Sequence, residues 1–91
     1  MDWQVKHKRA FLKELTRLPQ AVREEAEAVA FGDAIRLDPF LNGRVEKMAG
    51  YRAFYKIRLG SYRIGLKIDQ SERIIEFQRA LHRKDIYRVF P

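Results

Sequence analysis

The sequence predicts an α+β fold: two N-terminal helices packed on a curved, mainly antiparallel sheet of four to five strands. Three observations predict it. Apolar residues in the first third recur at helical spacing, whereas from Phe54 onward they alternate with polar ones, the period of a half-buried strand. The period changes once, near Asp38-Pro39, with no repeat, low-complexity tract or linker on either side. Helices placed ahead of the strands, and not interleaved with them, favour an antiparallel sheet covered on one side. The 91 residues are expected to form a single domain, 1–91, large enough for one core.

Each element follows in order. Trp3–Val5 is expected as a short first strand. From Lys8 to Leu18, the residues Phe11, Leu12, Leu15 and Leu18 make one stripe of a helix. Pro19 ends it, since proline cannot continue the hydrogen-bond ladder. A second helix is expected over Gln20–Ile35, with Val22, Ala26, Val29 and Ala30 inward and Glu24, Glu25 and Glu27 in water. Gly32 weakens its last turns. Asp38-Pro39 stops helical structure, Leu41–Gly43 reads as loop, and Val45–Met48 as a short strand before a turn at Ala49-Gly50. Two strands flank Gly60-Ser61, a turn follows at Asp69–Glu72, and a last strand covers Arg73–Leu81. The tail, His82–Pro91, has room for a helical turn. Trp3, Phe11, Phe31, Phe40, Phe54 and Phe77 are expected mostly in the core, and His7 at a helix start, on the surface or as a cap.

The hairpin around Gly60-Ser61 carries the most information. A turn centred there sets Arg58 opposite Arg63, and Lys56 opposite Gly65, on one face. Tyr55, Ile57, Leu59, Tyr62, Ile64 and Leu66 fall on the other. Like charges directly opposed in a sheet cost from a few tenths to about 1 kcal/mol. Three cations on one solvated face, with no acidic residue between them, therefore suggest a surface built for an anion, most simply a phosphodiester.

The bulk composition agrees. Net charge is +7, and it is unevenly placed: residues 1–45 hold eight Lys/Arg against seven Asp/Glu, and residues 46–91 hold eleven against five. A basic C-terminal half points to nucleic acid or an acidic protein partner. Cysteine is absent, which excludes disulfides, zinc–thiolate sites and thiol nucleophiles. Two histidines without an acidic cluster make a metal site improbable, so neither metal nor cofactor is expected. No segment approaches the ~20 apolar residues of a membrane span, and no signal-type run opens the chain, so a cytoplasmic protein without membrane association is expected.

Three segments together resemble the RelE branch of the RelE/ParE toxin superfamily: Met48-Ala49-Gly50, the run from Tyr55 to Arg63, and His82-Arg83-Lys84-Asp85-Ile86-Tyr87-Arg88. The likeness covers nearly the whole chain. It implies a toxin of a type II toxin–antitoxin module, a ribosome-dependent endoribonuclease that cuts mRNA in the A site and is neutralised by a cognate antitoxin. It also implies an active site of Lys56, Arg58, Arg63, Arg83 and Tyr87, with Arg79 as substitute for the last cation if a bulge reorients the strand, and His82 as a further contributor. The rival within the superfamily is a ParE-like toxin that inhibits DNA gyrase by binding. Lys56, Arg58 and Tyr87 together favour the RelE reading.

These residue types suit RNA cleavage by attack of a ribose 2′-OH on the adjacent phosphorus. That reaction needs a proton acceptor at the 2′-OH, cations about the phosphorane oxygens and a donor at the departing 5′-oxygen. Lys56 is the candidate acceptor. Arg58 and Arg63, permanently charged and fork-shaped, suit two phosphate oxygens. Arg83 is assigned to the leaving oxygen, and Tyr87 to stacking on or orienting the scissile nucleotide.

Overall fold

A computed structural model describes residues 3–91. The elements are β1 (Gln4–His7), α1 (Arg9–Leu15), α2 (Gln20–Phe31), a single turn α3 (Ala34–Leu37), a 3₁₀ turn (Leu41–Gly43), β2 (Val45–Lys47), β3 (Phe54–Leu59), β4 (Tyr62–Asp69), β5 (Ile74–His82) and α4 (Arg83–Val89). The five strands form one sheet in the order β1-β5-β4-β3-β2. Only the β1–β5 pairing is parallel. The α+β class and the mainly antiparallel sheet are as the sequence predicts.

Alternation along β3 and β4 decides what each face of the sheet meets. Tyr55, Ile57, Leu59, Ile64, Leu66 and Ile68 lie in the main core with Phe11 and Leu15 of α1 and Ala26 and Ala30 of α2. The small residues of α2 let that helix approach closely. A second, smaller core forms elsewhere: Met48, Ile86 and Phe90 are buried together, with Phe54 and Leu81 against them. The tail is thus a two-turn helix, α4, docked by Ile86 and Phe90. The sequence predicts a single turn here, and the apolar residues Ile86, Val89 and Phe90 fall too late in the segment to mark where the helix begins.

The hairpin register is the expected one, with Arg58 facing Arg63 and Lys56 facing Gly65. Gly60 has φ 61°, suited to a two-residue turn with glycine at its first central position. Gly65 has a different purpose. A Cβ there would lie 2.7 Å from the Phe90 ring, so the missing side chain is what lets Phe90 seat on the strand. Beside it the β4–β5 ladder slips: Gly65 pairs with Arg79 but Leu66 with Phe77, a bulge that bends β5.

Several boundaries differ from expectation. Helix α2 stops at Phe31 and not near Ile35, because the chain turns extended at Gly32 before α3 begins. His7 ends β1, with Nε2 donating to the Ala30 carbonyl at 2.7 Å and its ring packed on Phe31 and Phe77. Phe31 itself is 54% exposed, so it is not a core residue. Among the described residues no helix is long and apolar enough to cross a membrane.

Candidate active site

The site is assembled from β3, β4 and α4. Burying Tyr55, Ile57 and Leu59 forces Lys56 and Arg58 onto the sheet face away from α1 and α2. Helix α4 is laid over that face from the hairpin end. The Arg83 backbone N–H donates to the Ser61 carbonyl at 2.8 Å, fixing the helix start beside the turn. His82 caps the helix: its Nδ1 accepts from the Lys84 N–H at 3.1 Å, and its ring stands edge-on to Tyr62 with centroids 5.1 Å apart. Arg83 and Tyr87, four residues apart, share one side of α4. Arg83 is exposed, as is half of Tyr87.

Three groups meet at the Tyr87 hydroxyl. Lys56 Nζ donates to Tyr87 Oη at 3.3 Å and lies 5.5 Å from the ring centroid. Burial by itself raises the Tyr87 pKa, but the Lys56 ammonium and then the Arg63 guanidinium outweigh it. The phenol is held below the ordinary 10.0. Such a hydroxyl is a readier acid than a free tyrosine.

Arg63 corrects one expectation. The hairpin pattern places it on a solvated face, yet it is only 9% exposed beneath α4. Its Nη1 donates to the Gly60 and Tyr62 carbonyls at 2.6 and 2.8 Å, and its buried Nε has no hydrogen-bond partner. Held by two backbone carbonyls and near enough to the Tyr87 hydroxyl to lower its pKa, the guanidinium is a rigid positive charge at the base of the site. A charge fixed in this way can stabilise an oxyanion without reorganising.

Glu46 corrects another. The three cations do not stand without an acidic neighbour, because β2 brings Glu46 opposite Lys56 and within 3.3 Å of Arg58 Nε. A strand of three residues carries too little periodicity for its register to be read from sequence. Both partners of this pair are largely in solvent, 63% and 45% exposed, so the contact is worth at most about 1 kcal/mol and yields readily to a phosphate.

Arg79, the substitute cation, is engaged elsewhere. Its Nε lies 3.1 and 3.0 Å from the two Glu14 carboxylate oxygens, and Nη2 2.5 Å from one of them. Glu14 also accepts from the Ala80 N–H at 2.9 Å. These bonds, which outweigh partial burial, push the Arg79 pKa above the ordinary guanidinium value. The bulge next to Arg79 therefore serves an α1–β5 clamp and does not turn the arginine toward Tyr87. Leu81, directly across from Arg63, packs against the α4 core. Arg83 is left as the C-terminal cation nearest the turn. Among the described residues no three His, Asp or Glu side chains gather as metal ligands.

No protein-family model matches the sequence. A curated relative, "Toxin RelE3" of Methanocaldococcus jannaschii, is 36% identical over 90 residues, spanning 91% of this chain and 93% of its own. The chain belongs to the RelE toxin family. Solved RelE structures agree in fold. The RelB–RelE antitoxin–toxin complex from Methanococcus jannaschii matches with a TM-score of 0.75 at 32% identity, covering 94% of this chain and 99% of that one. The archaeal RelE–RelB complex from Pyrococcus horikoshii OT3 gives 0.73 at 25% identity over 93% and 99%. Within this RelE-family chain, Lys56, Arg63 and Tyr87 are brought together, Arg58 and Arg83 flank them, and His82 and Arg79 hold structural positions.

Proposed function

We propose that this RelE-family chain is the toxin of a toxin–antitoxin pair. In this reading it is a metal-independent endoribonuclease that cleaves mRNA in the ribosomal A site, with a RelB-like antitoxin as its restraining partner. The observation that carries it is the convergence of Lys56, Tyr87 and the rigidly held Arg63 on one point of a basic face. A scissile phosphate placed there meets every group the transesterification needs. Lys56, as the free amine, takes the 2′-OH proton while Tyr87 Oη orients it; the 2′-oxygen bonds to phosphorus. Arg63, with Arg58 once it leaves Glu46, compensates the charge on the equatorial oxygens. The P–O5′ bond breaks, and the 5′-oxygen, its charge offset by the exposed Arg83, takes a proton from solvent. The products are a 2′,3′-cyclic phosphate and a 5′-hydroxyl. The antitoxin reading is supported by the relatives crystallised as RelB–RelE complexes, and by a +7 toxin's need for an acidic or occluding partner. Translating ribosomes would place the protein in the cytoplasm.

A translating extract supplied with the purified protein tests this directly. Expected is cleavage of ribosome-bound mRNA with cyclic-phosphate and 5′-hydroxyl ends, and no effect on gyrase supercoiling. Intact mRNA alongside inhibited gyrase would overturn the reading in favour of a ParE-like mode of action.

A further inference from the structure

Beyond the cleavage site, the β2–β3 connection forms a second feature. Backbone bonds close it on itself: Met48 N–H to the Phe54 carbonyl at 2.9 Å, and Tyr51 N–H to the Met48 carbonyl at 3.3 Å. Gly50, at φ 83°, makes the sharp bend that presents the next residue. That residue is Tyr51, a large aromatic left 49% exposed. Its ring stands perpendicular to Phe54, at 89° and 6.3 Å between centroids, so the stem is braced while a face stays open. The loop borders a cavity of about 380 Å³ lined by Lys47, Met48, Ala49, Gly50, Tyr51 and Arg52. Such a volume lies in the range of small-ligand sites. Lys47 and Arg52 are exposed and form no ion pair with any described residue.

This feature continues the proposed active site. Phe54 lies two residues before Lys56 on the same face of β3, about 7 Å along the strand. Lys67, opposite Phe54, holds its ammonium 5.9 Å from the Phe54 ring. From Arg58 and Lys56 the cations run on to Lys67 and to Lys47 and Arg52 of the loop, with Tyr51 as the exposed aromatic, while Phe54, packed edge-on against Phe90, braces the path from below. Interleaved cations and aromatic faces make the groove type that tracks a single strand, with charges on phosphates and rings under bases.

We infer that Tyr51, with Lys47 and Arg52, forms a nucleotide subsite of the RNA substrate, the Tyr51 ring stacking on a base outside the scissile step and the two cations neutralising its phosphates. The inference rests on the RNA-cleavage reading and extends it by a binding position. Stacking on a π-face tolerates all four bases, so this subsite anchors the strand and does not select codons.

The test separates the two claims. The protein is titrated with a short single-stranded RNA bearing 2′-O-methyl riboses, which cannot be cleaved, and followed by NMR. Expected are shifts at Lys56 and Tyr87 and, in the same titration, at Tyr51 and Arg52. Tyr51→Ala should abolish the loop shifts, keep those at Lys56, and weaken binding by about ten- to a hundred-fold. Tyr51→Phe, which keeps the ring, should bind as wild type. In the translating extract, Tyr51→Ala should raise KM by a similar factor at all codons, with kcat little changed. Shifts confined to Lys56 and Tyr87 would overturn the subsite and spare the cleavage reading. Shifts at neither place would overturn the subsite, while cleavage in the translating extract decides the cleavage reading by itself. Backbone spectra of the free variants report whether each is folded, and Tyr51→Leu, which keeps bulk but lacks a π-face, carries the comparison if Tyr51→Ala is not.

Discussion

At the scale of single residues, Arg63 and Tyr87 separate folding from chemistry. Arg63 holds two backbone carbonyls of the hairpin end, so Arg63→Ala leaves the Gly60 and Tyr62 oxygens without that donor. The expected cost is about 1–3 kcal/mol in denaturant unfolding, together with loss of toxicity. This is larger than the near-neutral cost a solvated residue would show. Tyr87 gives a spectroscopic handle. Its folded pKa lies below the ordinary tyrosine value, so ionisation favours the folded state. That contribution is fully present above the unfolded pKa and is lost as pH falls through the lowered folded one. In an ultraviolet titration one tyrosine should ionise ahead of the other three. Lys56→Met should move that step upward, and Tyr87→Phe should delete it. An early step surviving Lys56→Met would mean that lysine is not the cause.

At the scale of elements, two attachments hold the site, and each can be loosened without touching a catalytic group. Helix α4 is seated by Phe90 over Gly65, where a methyl group has no room. Gly65→Ala should therefore lift α4, speeding amide exchange at the Phe90 N–H that bonds to Ile86. Cleavage should fall by an order of magnitude or more, because Tyr87 leaves Lys56, although every site residue remains. On the opposite side, Glu14 clamps Arg79 and the Ala80 N–H, with side chains 10% and 27% exposed for the ion pair. Glu14→Ala leaves a half-buried cation unpaired and should cost about 3 kcal/mol in unfolding. Cleavage per folded molecule should not change. A matching loss of specific activity would place Arg79 in the chemistry after all.

At the scale of the whole molecule, the charge distribution sets how the protein meets its substrate. The excess of cations lies in residues 46–91, which hold β3, β4, β5, most of β2, the β2–β3 loop and α4. Association with RNA should weaken linearly on a log–log plot against salt, with a slope near −0.7 for each phosphate neutralised on a single strand. Arg52→Ala should flatten that slope by about 0.7 at unchanged fold. Substituting Lys8, at the N-cap of α1, or Lys13 within it, on the other side of the sheet, should leave the slope for a short RNA unaltered.

What was legible in the sequence is what short-range pattern dictates. Strict alternation about Gly60-Ser61 fixes a hairpin register, and that register brings Lys56, Arg58 and Arg63 to one face, since a slip of one residue would bury charges in the α1–α2 core. The helical stripe of Phe11 and Leu15, and the stop at Pro19, are local in the same sense. Contacts between distant segments had no such signature. Arg63 became buried because α4 lies over it; Arg79 turned away because Glu14, 65 residues earlier, accepts it; Glu46 entered the basic face through a three-residue strand. The alphabet of the site is thus set by residue type and period, whereas burial, pairing and pKa belong to the assembled sheet and its two covers, because they depend on which segments touch.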